Sequence, residues 1–236
     1  MEKTIINWSG GKDSALCLKY IIDSEEYDPI CLLTTISKPY QRISMHGVRT
    51  ELLEAQAESI GLPLVKVEMP ENPSMGDYEN LMVHNLSVLK KEGATVSAFG
   101  DIFLEDVRQY REQNLKKISL KPAFPLWGKS TSRLVREFID MGFRTIVTCV
   151  DEKYLDKSFA GRVIDHDFLK DLPAGVDPCG ENGEFHTFVF DAPVFKNPVE
   201  LKKGEVVYRQ YPAVGEDVDN KERLSAGFWF CDLVPC

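Results

Sequence analysis

Thr4-Ile5-Ile6-Asn7-Trp8-Ser9-Gly10-Gly11-Lys12-Asp13-Ser14-Ala15-Leu16-Cys17-Leu18 is the stretch that decides the fold. Thr4–Trp8 reads as a short strand, and Ala15-Leu16-Cys17-Leu18 opens a segment of helix-forming residues. Between them stand two glycines, a lysine and two serines. A strand that turns through glycines into a helix N-terminus aims unpaired backbone N–H groups, and the positive end of the helix dipole, at one point. An anion binds there. The glycines let the backbone approach phosphate oxygens, Ser9 and Ser14 offer hydroxyls, and Lys12 supplies a mobile positive charge. An ordinary serine-capped turn has no use for a central lysine and two glycines together. The spacing matches neither the G-x-x-x-x-G-K-[ST] loop nor the G-x-G-x-x-G dinucleotide turn.

Outward from this loop, β-rich runs alternate with segments of helical period. Thr4–Trp8, Ile30–Ile36, Leu64–Glu68, Thr95–Gly100 and Thr145–Val150 are expected strands. Helical faces recur at Val48, Leu52, Leu53, Ala57 and Ile60, at Tyr78, Leu81, Met82, Leu86 and Leu89, and at Leu134, Val135, Phe138 and Ile139. The fold class that follows is α/β, an open mostly parallel sheet with helices on both faces. From about Asp151 the rhythm changes: a short helix at Asp165–Leu172, a glycine- and proline-punctuated loop, then strand-like runs at His186–Phe190, Glu205–Tyr211 and Phe228–Val234. We therefore expect residues 1–155 to form the anion-binding α/β domain and residues 156–236 a smaller β-rich C-terminal part that shares an interface with it.

Composition narrows the function. Lys and Arg number 28 against 37 Asp and Glu, a formal charge of −9, which argues against a broad nucleic-acid-binding face. No apolar run approaches the ~20 residues that span a bilayer, and the N-terminus carries no basic, cleavable leader, so no membrane partner and a cytoplasmic location are expected. The six cysteines form no C-x-x-C pair and read as free thiols.

The Ser9–Ser14 loop resembles the PP-loop of the N-type ATP pyrophosphatases, which implies an adenine nucleotide alpha hydrolase-like fold and cleavage of ATP to AMP and pyrophosphate. The resemblance extends to Pro125-Leu126-Trp127, to Leu155 through Gly161-Arg162-Val163-Ile164-Asp165, and to Cys179-Gly180-Glu181-Asn182-Gly183-Glu184-Phe185-His186-Thr187. Their order and spacing are similar to those of the diphthine–ammonia ligase family. Members of that family adenylate a carboxylate on a modified histidine of elongation factor 2, and ammonia then displaces AMP. The resemblance thus implies ATP and Mg²⁺ as cofactors, and as partners a carboxylate-bearing acceptor, small molecule or protein, with ammonia or an amine. It leaves the oligomeric state open, a homo-oligomer included. Where the family reads Glu-Gly-Gly-Glu-Phe/Tyr-Glu, this chain has Glu181-Asn182-Gly183-Glu184-Phe185-His186, so a titratable imidazole replaces a carboxylate. Diphthine, a cationic acceptor, is therefore expected to be a poor substrate. Two other readings stay open: a tRNA-modifying or sulfur-transferring PP-loop enzyme, and a non-catalytic adenine nucleotide sensor.

Ligands of open α/β sheets bind beyond the carboxyl ends of the strands, which selects the remaining candidates. Ser9, Gly10, Gly11, Lys12, Asp13, Ser14, Thr35 and His46 are expected at the nucleotide, and Asp13 and Asp101 at Mg²⁺. Asp101, Arg162, Glu181, Asn182, Glu184 and His186 are expected at the acceptor, with Lys12, Glu184 and His186 catalytic. Each has a plainer reading. Thr34 and Thr35 suit a strand by propensity, His46 a helix start, and Arg162 a pair with Asp165 one turn away. Trp127 reads as core rather than an adenine platform, and Cys179 as inert, with no partner in sequence to activate its thiolate.

Overall fold

The computed structural model describes residues 1–43, 47–212 and 225–236. Five strands, β1 (Glu2–Asn7), β2 (Tyr27–Ser37), β3 (Leu64–Met69), β4 (Val96–Ala98) and β5 (Lys121–Ala123), form a wholly parallel sheet in the order β3-β2-β1-β4-β5. Alternate residues of the central strands enter two cores, as a sheet covered on both faces requires. Ile6, Leu32 and Ile36 pack with α1 (Lys12–Asp23), α2 (Thr50–Ile60) and α5 (Thr131–Asp140). Ile5, Cys31 and Leu33 pack with α3 (Met75–Lys91) and α4 (Glu105–Lys117). The α/β expectation therefore stands, with helices on both faces. Strand order reverses between β1 and β4, where Asn7 Nδ2 donates to Ser97 Oγ at 2.8 Å and Ala98 O at 2.9 Å.

The last strand expected in this sheet belongs elsewhere. β6 (Arg144–Asp151) pairs antiparallel with β7 (Phe185–Asp191) and β9 (Ser225–Pro235), and β8 (Leu201–Pro212) closes a second sheet in the order β7-β6-β9-β8. The sheets thus part between Ala123 and Arg144, upstream of the expected division at residue 155. β6 is buried from Thr145 to Val150 on both faces, so its Thr-Ile-Val-Thr-Cys-Val sequence shows no polar alternation and carries no sign of strand direction. The fifth parallel strand is instead the three-residue β5, too short, and too polar around Pro122, to announce itself.

One core joins the two sheets: Leu53, Leu134, Phe138, Ile146, Phe185 and Phe188 belong to the same buried cluster. α6 (His166–Asp171) caps it with Phe168, edge-on to both Phe159 and Phe185 at 5.7 Å. Among the described residues, no helix is long and apolar enough to cross a membrane. All six cysteines are free thiols, five of them buried.

Candidate active site

The loop between β1 and α1 is fixed from two sides. Gly10 O accepts from Val189 N–H at 2.8 Å and from Gln56 Nε2 at 3.0 Å, and Lys12 N–H donates to Thr187 Oγ1 at 3.0 Å. Gln56 is fully buried, and its Oε1 accepts from Trp8 Nε1 at 2.9 Å. Gly10 has φ +75°, and a Cβ there would lie 2.7 Å from Leu53 Cδ2. Gly11 is the N-cap of α1 and supplies no side-chain cap. The Ser9 and Ser14 hydroxyls lie 3.2 Å apart, and Ser14 Oγ also donates to Gly11 O at 2.9 Å.

Over this loop opens a cavity of about 580 Å³. Ser9, Gly11, Lys12, Asp13, Ser14, Thr34, Thr35, Asp101, Glu181 and His186 all line it, together with an apolar side made by Leu33, Ile43, Tyr78, Met82 and Phe99. The phosphate loop, the β4 end and the Glu181–His186 segment, far apart in sequence, therefore meet at one site. Lys12 is 4% exposed, with Nζ 2.8 Å from Asp13 Oδ2. Burial alone would lower its pKa, but Asp13, with Cys179 and Glu181 behind it, more than offsets that and holds the ammonium charged. Asp101 is paired with Arg111 across 2.7 Å. Asp13 and Asp101 are hard oxygen donors from adjoining segments, a set that suits Mg²⁺ together with phosphate and water oxygens.

Glu181 reaches across to the first sheet and accepts from Ile102 N–H at 2.7 Å. Burial first, with Asp13 adding, raises its pKa to about 7 against the pull of the Ile102 N–H and Lys12. A carboxyl raised from 4.5 holds its proton longer in the folded than in the unfolded chain. Its contribution to stability is thus complete below about pH 4.5 and is lost as pH rises through about 7. Glu181→Gln is expected to cancel that decline, which denaturant melts at pH 5 and pH 8 will measure. An equal fall in both proteins would contradict the assignment.

Other expected residues lie elsewhere. Glu184 is 1% exposed and does not line the cavity; its carboxylate accepts from the backbone N–H groups of Asp177 and Asn182 and from Asn182 Nδ2, at 2.9–3.0 Å. It staples its own loop, and Asn182 serves that staple; neither lines the cavity. Arg162 pairs with Asp171 at 2.7 Å and lies over the Phe159 and Phe168 rings, away from the cavity. Asp165 instead caps α6. Trp127 neither enters the core nor meets the cavity; it stacks under the Arg108 guanidinium at 4.6 Å. Cys179 is buried, with a thiol that burial pushes up. His46 lies outside the described residues. Gln56, Thr187 and Arg111, which brace the loop or line the cavity, were not among the expected site residues; only Thr187, the last residue of the Cys179–Thr187 stretch, carried a visible signal.

The family model for the diphthamide synthase N-terminal domain matches residues 2–122, and that for the diphthamide synthase C-terminal domain matches residues 130–215. A diphthine–ammonia ligase from Danio rerio is 30% identical over 227 residues, covering 84% of this chain and 86% of that protein. The Homo sapiens diphthine–ammonia ligase is 28% identical over 187 residues, 71% of this chain and 67% of that one. A solved structure described as a predicted subunit of tRNA methyltransferase from Methanocaldococcus jannaschii is 16% identical, with a TM-score of 0.41 over 61% of this chain and 77% of that one. With both domain models in order along one chain, and a relative matched over most of its own length, the protein belongs to the diphthine–ammonia ligase family of ATP-dependent ligases.

Proposed function

We propose that this chain activates a substrate carboxylate with ATP and joins it to ammonia or an amine. The carboxylate oxygen attacks the α phosphorus, the bond to the β phosphate breaks, and pyrophosphate leaves; the amine then attacks the acyl carbon and AMP departs. The observation that carries this reading is the shared cavity: the phosphate loop on one wall, Glu181 and His186 on the other. A nucleotide sensor has no need of that second wall. The adenosine fits the apolar side beside Thr35. The α1 N-terminus and Lys12 stabilise the charge that develops on the leaving pyrophosphate. Asp13 and Asp101 are the residues that would hold Mg²⁺, which neutralises phosphate charge when bound. Glu181 and His186 are the titratable groups available to take the proton of the attacking amine. Glu184 and Asn182 act on the loop that carries them.

The relatives are named for diphthine and ammonia, which makes diphthine the acceptor to test first. Diphthine carries a trimethylammonium group, and in this chain His186 stands where the family motif has a carboxylate. His186→Glu is therefore expected to speed amidation of diphthine-bearing elongation factor 2 by about tenfold near pH 7. The measurement is ATP-dependent incorporation of labelled ammonium into the factor by both proteins. Fast incorporation by the native chain, unchanged in His186→Glu, would show that His186 does not select the acceptor.

A further inference from the structure

Arg111 sits in α4, an element no motif points to, yet it lines the phosphate-loop cavity. Three contacts hold it there. Its plane lies over the Phe99 ring at 4.5 Å, Nη2 donates to Asp101 Oδ1 at 3.0 Å, and Nε approaches Asp101 Oδ2 to 2.7 Å. That last approach is misaligned, so Nε and Oδ2 are both buried without a hydrogen bond. The pair therefore satisfies the charge but not the donors of the guanidinium.

Lys12 is arranged in the same way, on Asp13 and 5.6 Å from the Phe185 ring centroid. The two ion pairs adjoin, because a Cβ on Gly100 would lie 2.7 Å from the carbonyl of Asp13. Among the described residues of the cavity wall, Lys12 and Arg111 are the permanent cations. A polyphosphate carrying several negative charges exceeds what one ammonium offsets in a half-closed site. A planar guanidinium already fixed by a ring and a carboxylate loses little freedom when it turns its N–H groups to a phosphate.

We propose that Arg111 is a second phosphate-binding residue, kept in place by Asp101 until the polyphosphate of the nucleotide takes over its donors. This rests on the ATP-binding reading above and names a residue that reading does not contain. The test is calorimetric titration of the whole chain with inorganic pyrophosphate, ATP and adenosine, without divalent cation. Arg111→Gln is expected to weaken pyrophosphate and ATP at least about tenfold and to leave adenosine unchanged. Arg111→Lys, which keeps the charge and the fold if the glutamine variant does not, is expected to fall between the two. Asp101→Asn, which removes the competing carboxylate, is expected to tighten pyrophosphate about threefold or more. Native pyrophosphate affinity in a folded Arg111→Gln, or equal weakening in Asp101→Asn, would overturn the proposal in favour of a purely structural pair. If the native chain bound neither ATP nor pyrophosphate, the ATP-binding reading itself would fall.

Discussion

Lys12→Ala is expected to lower turnover by about 10²–10³-fold and ATP affinity by at least about tenfold, while the chain stays folded. The ammonium is buried in the cavity wall, so its charge acts through protein rather than water, and in the proposed reaction it would meet the charge that develops on the leaving pyrophosphate. Its removal also leaves Asp13 without its cation. That carboxylate keeps 31% of its side-chain surface in contact with solvent and can be rehydrated, so the cost to the fold stays small. Calorimetry with ATP, beside circular dichroism melts of both proteins, checks the two halves separately. Unchanged ATP affinity in Lys12→Ala would count heavily against a phosphate loop at Ser9–Ser14.

Gly10→Val is expected to destabilise the fold more than any other single change in the loop. Gly10 has φ +75°, a conformation that costs an L residue about 1–2 kcal/mol. The new Cβ would lie 2.7 Å from Leu53 Cδ2 and 2.8 Å from Gln56 Oε1. Gln56 cannot give way cheaply, since it is fully buried and bonded to Trp8, Gly10 and Val189. Overpacking of this kind costs about 1–3 kcal/mol, and each buried polar group left unpaired costs a similar amount. A loss of roughly 3–5 kcal/mol is a large part of a typical domain's stability and lowers Tm by roughly 10 °C or more. Gly128→Val is the matched control: φ is +70° there, but nothing lies within 4 Å of the added Cβ. Equal losses in the two variants, read from thermal melts, would mean that the packing of Gly10 on α2 contributes nothing.

The β1–loop–α1 unit was legible because glycine, lysine and serine at that junction have one economical use. Strands and helices with regular apolar period were legible too, to within a few residues at their ends. α4 was not: among its thirteen residues only Leu115 is buried, and Arg108 and Arg111 hold it by lying over Phe124, Trp127 and Phe99 instead. An arginine stacked on a ring leaves no apolar period to read. β6 was legible as a strand but not as a member of the antiparallel sheet, because strand direction is decided by partners far away in sequence.

The site divides along the same line. Ser9, Gly11, Lys12, Asp13, Ser14, Thr35, Asp101, Glu181 and His186 share the expected cavity, while Gly10 packs against Leu53 and Gln56 behind it. Glu184 and Asn182 lie among them in sequence yet turn inward, because Gly180 and Gly183, at φ +66° and +88°, bend the loop so that Glu184 meets its own backbone donors. A glycine-punctuated loop announces that something is built there, without saying which side chains face in. Gln56 and Arg111 are single polar residues on helices and acquire meaning only when the helix is placed against the loop.

The most direct test is phosphorus NMR of the nucleotide products formed from ATP, Mg²⁺, ammonium and diphthine-bearing elongation factor 2, with the native chain and with His186→Glu. A ligase that activates a carboxylate over this loop gives AMP and pyrophosphate in equal amounts, in step with amide formation. ADP and inorganic phosphate as the only products would contradict it.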